Sequence, residues 1–272
     1  MTKPPDFEDD VKDITQSFGD AVDDIRLEVE RMDLTNAGAN ATIKKIGGIF
    51  GGLRNKARGW VDRLFPKAAR DGVGRALDAL GIGRKRDDVP PLNRANSEMV
   101  EAATEDTYAD LLAVTQNIDR RTKAAIRKAI AESMRANMSN GVNGRRTINA
   151  ETTDRIRKEL GDAVDNAIID AGGRRWKVET YVDMVTRTKL MQTTNDATIN
   201  EALDRGVLYG VISRHGATDG CAKWEGRTIK LTRDAPGDYP FIGDLPRREI
   251  FHPNCRHTIS PIRRPKEVRD GG

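Results

Sequence analysis

The chain has 272 residues, of which 37% are apolar and 32% charged, with a net charge of +4. This length buries a real core, while the modest apolar share points to parts that are elongated or dependent on a partner. Aromatics at 5% argue against a reader of stacked bases, and two cysteines exclude a disulfide framework, as expected of a chain made in a reducing cytosol.

The opening "MTKPPDFEDD" is polar and carries no apolar leader. Residues 1–33 hold 4 basic and 11 acidic side chains, a net of −7. Val11, Ile14, Phe18, Val22, Ile25, Val29 and Met32 recur at steps of three and four, which predicts one amphipathic helix over 7–33. A single apolar stripe is not stable alone, so this acidic helix must dock on something.

Residues 34–90 are the opposite in charge, with 12 basic and 5 acidic side chains, a net of +7. Ile43, Ile46, Phe50, Leu53, Ala57, Trp60 and Leu64 share one helical face, and Lys44, Lys45, Arg54, Lys56, Arg58 and Arg63 fall largely elsewhere. Such a basic, Gly-rich arm can pack on the acidic helix, track DNA phosphates or lie on a membrane through 43–64. Its glycines weaken a helix, so its order is expected to depend on a partner. The most apolar run, "IGGIFGGL", is far too short to span a membrane. "GIGRKRDDVPP" at 81–91 reads as a linker and places a boundary near 90.

Residues 91–206 read as a helical domain. Ser97 is the expected N-cap of two helices ending near Gly141. A third helix is expected from Thr153 or Asp154 to Asp170, and a fourth from about Val178 to Arg205, stopped by Gly206. Beyond it, "VLYGVISR", "RTIKL" and "CRHTISPI" are short and rich in β-branched residues, predicting a β-rich unit over 207–272 with a basic tail. The expected class is therefore mainly α with a small β element (α+β), preceded by an extended N-terminal helical arm.

All five Cys and His residues lie between 215 and 257. Cys221, His252, Cys255 and His257 are candidate zinc ligands, with His215 or Asp219 as the alternative fourth. The three-residue offset of His252 and Cys255 lets one turn aim both at an ion. The competing reading is a compact turn, with Pro253 fixing the backbone, Asn254 capping it and Cys255 buried as a small apolar group. A metal nuclease with His252 as base and Asn254 orienting it is the enzymatic alternative, but only a strand and prolines follow His257 where a ββα-metal site has a helix. Arg187 reads as a structural arginine that bonds loop carbonyls or pairs with Asp183 or Asp219. Trp176 and Trp224 read as core anchors. The arginines of "LPRREI" and "IRRPK" read as solvated by default, with contact to DNA phosphates the alternative. No P-loop, H-E-x-x-H or G-x-S-x-G is present.

Taken in order, Gly173-Arg174-x-Trp176, Tyr181, Met184, Arg187-Thr188, Gly206, Ser213-x-His215, Asp219-x-Cys221, Trp224-x-Gly226 and His252-Pro253-Asn254-Cys255-Arg256-His257 resemble the phage minor capsid protein 2 and Mu F-like minor head protein superfamily. The resemblance covers 172–262. It departs where many relatives show Cys-x-x-Cys and this chain has Cys221-Ala-Lys-Trp224, which removes half of a zinc knuckle. It implies a non-enzymatic virion component in few copies, at the portal vertex or head interior, assisting head assembly or DNA delivery. The implied partners are the portal, the major capsid protein and packaged DNA.

Overall fold

The computed structural model describes residues 5–82, 89–139, 150–165, 168–169 and 175–265. Gly173 and Arg174, most of the linker stretch and the end of the basic tail lie outside these residues. Among the described residues the order is α1 (Glu8–Glu30), α2 (Asn36–Ala79), α3 (Arg94–Ser139), α4 (Ala150–Asp165), β1 (Ile168–Ile169), β2 (Arg175–Trp176), α5 (Val178–Asp204), β3 (Tyr209–Ile212), β4 (Thr228–Lys230) and β5 (Ile259–Ile262). The chain is mostly helical with a three-stranded antiparallel sheet near its C-terminus, an α+β fold.

Two compact units are built from interleaved stretches of sequence. One comprises residues 9–60 and 108–183, the other 1–8, 61–107 and 184–272. Helices α2, α3 and α5 each contribute to both.

In the first unit, all seven stripe residues of the acidic segment are buried. α1 runs antiparallel to the first part of α2: the Trp60 indole donates to the Asp10 carbonyl at 2.8 Å near one end, and Lys45 pairs with Glu28 at 2.9 Å near the other. The apolar stripe of α2 is consumed in the same way, with Ile46, Phe50, Leu53, Ala57 and Trp60 buried and Ile43 half-buried. This packing holds a continuous helix through the glycines that weaken it. Thr35 caps it, its hydroxyl accepting from the Gly38 N–H at 3.1 Å.

α3 is one 46-residue helix where the sequence suggested two. Its cap is Asn93, whose side chain accepts from the Asn96 N–H at 2.9 Å, and not Ser97, which lies inside the first turn and bonds back to the Asn93 carbonyl. α4 starts at Ala150, ahead of the expected Thr153 or Asp154, and ends at Asp165. β1 and β2 form a two-residue antiparallel pair.

In the second unit, α2 and α5 approach closely at Gly72. A Cβ there would sit 2.3 Å from the Thr194 carbonyl, and the Thr198 hydroxyl donates to the Gly72 carbonyl at 3.0 Å. α5 is rich in buried threonines, which bond carbonyls one turn back, as Thr194 does to Leu190 and Thr198 to Thr194. Gly206, at φ 69°, ends the helix, and the Val207 N–H returns to the Ala202 carbonyl. The sheet has order β4-β3-β5, with Tyr209 opposite Lys230 on one side and Ile262 on the other. Pro261 is tolerated because β5 is an edge strand. Ile212, Ile229, Leu231, Ile250 and Ile259 form the small core beneath it.

Candidate functional site

The C-terminal unit gathers the cysteines and histidines through two short turns. The first is a 3-10 turn, Gly220–Trp224, capped by Asp219, whose carboxylate accepts from the Cys221 N–H at 2.9 Å. The second is the turn His252–Cys255, closed by the Cys255 N–H to the His252 carbonyl at 3.0 Å. Pro253 and Asn254 occupy its centre, and Asn254 has φ 65°, the combination a type II turn requires. Phe251 just before it also has positive φ, 56°, a costly conformation for a bulky residue that aims His252 inward.

These turns bring together every residue of the candidate set. The Cys221 and Cys255 sulfurs lie 3.8 Å apart, and both side chains are buried. His252 Nε2 is 3.1 Å from Cys221 Sγ and 3.3 Å from an Asp219 oxygen. His257 Nδ1 is 3.3 Å from Cys255 Sγ and 3.3 Å from His215 Nε2. The donor atoms of Cys221, His252 and Cys255 all lie within 4.8 Å of one another, and so do those of His215, Glu225 and His257. Cys255 and His257 join the two groups.

Glu225 is the residue that sequence reasoning missed. Its carboxylate accepts the backbone N–H groups of His215 (2.8 Å) and Ala217 (3.1 Å) and lies 3.2 Å from His257 Nε2. Those backbone donors, aided by His257, hold its carboxyl down to about 2. Burial, then the neighbouring His215, keeps His257 below the ordinary imidazole value, so the ring is neutral near pH 7. Burial and the adjacent Cys255 push the Cys221 thiol up to about 12. Asn195 of α5 was also missed: its amide donates to the His257 carbonyl at 3.0 Å, anchoring the strand side of the cluster to the helix. Only its place between buried threonines could have marked it.

The remaining candidates sit apart from this node. Arg187 pairs with Glu8 at 2.6 Å, and Arg256 reaches the same carboxylate at 3.5 Å. Trp176 is partly buried, edge-on to Tyr181. Trp224 is likewise partly buried, bonding Glu249 at 3.3 Å with Arg227 over its ring. His252 Nδ1 bonds the Pro253 carbonyl at 2.8 Å, so backbone holds the ring where the nuclease reading would use Asn254. Lys44, Lys45, Arg54, Lys56 and Arg63 are exposed along α2, and Arg58 lies over the Tyr108 ring. Arg247, Arg248, Arg263 and Arg264 are exposed as well. No helix among the described residues is long and apolar enough to cross a membrane.

What the node can do chemically is hold loops together: its side chains bond mainly to one another and to backbone. No curated protein and no solved structure matches the chain. One family does, over residues 29–263, which spans both compact units and contains the whole Cys/His node. The chain belongs to the family described as phage minor capsid protein 2.

Proposed function

We propose that this chain is a low-copy structural component of a tailed-phage head, carried in the virion at the portal vertex or on the inner face of the head, where it serves head assembly or DNA delivery. Membership of a phage minor capsid family is the observation that carries this reading. The C-terminal unit supports it, because its polar side chains are spent on one another rather than arrayed around a substrate. The exposed basic residues Lys44, Lys45, Arg54 and Lys56 of α2 are suited to phosphates of packaged DNA or to acidic surfaces of portal and major capsid proteins. Contact with a membrane through 43–64 has less support, since the apolar stripe it needs is buried.

The test is quantitative mass spectrometry of gradient-purified particles, with cross-linking. A few copies per head with cross-links to the portal would support the proposal. Absence from intact particles, or an abundance equal to the major capsid protein, would overturn it.

A further inference from the structure

We propose that Cys221, His252, Cys255 and His257 form a structural zinc site that staples the C-terminal unit, with Glu225 as the carboxylate that orients His257.

The tautomers carry the argument. A carbonyl oxygen only accepts, so the 2.8 Å contact of His252 Nδ1 with the Pro253 carbonyl places the ring proton on Nδ1. The Nε2 then faces Cys221 Sγ at 3.1 Å, with an Asp219 oxygen beside it at 3.3 Å. His257 is arranged the same way with its nitrogens exchanged. An ionised carboxylate also only accepts, so Glu225 at 3.2 Å fixes the proton on Nε2 and turns the Nδ1 lone pair toward Cys255 Sγ at 3.3 Å. Each histidine thus donates one N–H to an oxygen and presents its other nitrogen to a cysteine. Metal-bound histidines are commonly held in this way, with the other ring nitrogen donating to an oxygen.

The spacing agrees. Zn–S bonds of about 2.3 Å in a tetrahedron set the two sulfurs about 3.8 Å apart. The Cys221–Cys255 separation is 3.8 Å. The same geometry with Zn–N of about 2.0–2.1 Å sets each S···N edge at about 3.5 Å. The two observed edges of 3.1 and 3.3 Å open by a few tenths of an ångström when the ion enters, and His257, which groups with His215 and Glu225 rather than with Cys221, His252 and Cys255, swings toward those three.

His257 is preferred to its rivals for the fourth position. It is 1% exposed, whereas the Asp219 side chain is 57% exposed and already caps the Cys221 turn. His215 Nε2 donates to His257 Nδ1, a bond that the metal replaces. A staple also answers a physical need. Three strands of three or four residues make a weak sheet, and one ion would tie the turn at 221 to the turn at 252–255 and to the approach of β5.

The experiment uses the full-length chain expressed with added zinc. The expected result is about one zinc per chain by elemental analysis. Replacement by Co(II) should give intense thiolate-to-metal bands in the near ultraviolet and tetrahedral visible bands. Cys255→Ser and His257→Gln should lose or alter those bands. Glu225→Gln should keep them but bind about 10- to 100-fold more weakly in chelator competition. His215→Gln and Asp219→Asn should bind as the parent does. A folded, metal-free parent chain that develops no thiolate–cobalt band on titration would overturn the site, so cysteine variants that fail to fold do not decide the matter. Loss of binding in His215→Gln or Asp219→Asn, with binding kept in His257→Gln, would overturn the ligand assignment. An unchanged affinity in Glu225→Gln would overturn its orienting role.

Discussion

Trp60 donates its indole N–H to the main-chain carbonyl of Asp10 at 2.8 Å, tying together two residues fifty positions apart. The ring is 2% exposed, so the acidic helix and the basic arm are joined by buried surface and by this part-buried hydrogen bond, with the Lys45–Glu28 pair on the exterior. Charge opposition between the segments is visible in composition, but the apolar contact outweighs it, because exposed ion pairs contribute about 0–1 kcal/mol each.

Replacing Trp60 should therefore be felt through packing. Trp60→Ala is expected to destabilise the chain by about 3–5 kcal/mol, and Trp60→Phe by less, since most of the ring volume remains. Urea denaturation followed by circular dichroism measures both. Equal losses in the two variants would mean that the hydrogen bond, rather than the buried ring, dominates.

Glycines in α2 should respond in opposite directions. A Cβ at Gly72 would lie 2.3 Å from the Thr194 carbonyl and 2.9 Å from the Ala197 Cβ, so Gly72→Ala must push α2 away from α5. A loss of about 1–3 kcal/mol is expected. A Cβ at Gly52 would meet nothing within 4 Å, so Gly52→Ala should raise stability by about 0.5–1 kcal/mol through helix propensity alone. Thermal melts of the two variants beside the parent provide the comparison. A neutral Gly72→Ala would mean that the helices are not held this closely in solution.

The periodic stripes of α1 and α2 were legible because burial selects one helical face and leaves the others polar. The continuity of α2 was not, because its glycines lower local propensity and only tertiary packing offsets them. Ser97 and Asn93 are both good cap residues, and only the bond to Asn96 distinguishes them. The gathering of Cys221, His252, Cys255 and His257 could be read from five rare residues in one stretch. Glu225 could not, being one of 42 acidic residues with nothing in its neighbourhood to announce two backbone donors and an imidazole.

Asn254 tests the turn that presents His252. At φ 65°, glycine is as comfortable as asparagine, so Asn254→Gly should leave stability within about 0.5 kcal/mol. Asn254→Val forces a β-branched residue into the left-handed region at a cost of about 1–2 kcal/mol or more. Chemical denaturation checks the pair. Tolerance of valine would mean that the turn relaxes, and with it the aim of His252.

The last prediction concerns Glu8, the first residue of α1, which pairs with Arg187 of α5 at 2.6 Å and with Arg256 at 3.5 Å. The hydrogen bond from Arg187 is the main reason its carboxyl is held below the ordinary value of 4.5. A carboxyl whose folded value is lowered adds stability above its unfolded value, and that stability is lost as pH falls from about 4.5 through the folded value. Glu8→Gln should therefore lower the urea midpoint at pH 7, by a difference that shrinks as pH falls below about 4.5. Because Glu8 is about half exposed, the difference at pH 7 should be under about 1 kcal/mol and should shrink further in 1 M salt. A difference that does not shrink on acidification would assign the contribution of Glu8 to packing around Phe7 and Met191 rather than to its charge.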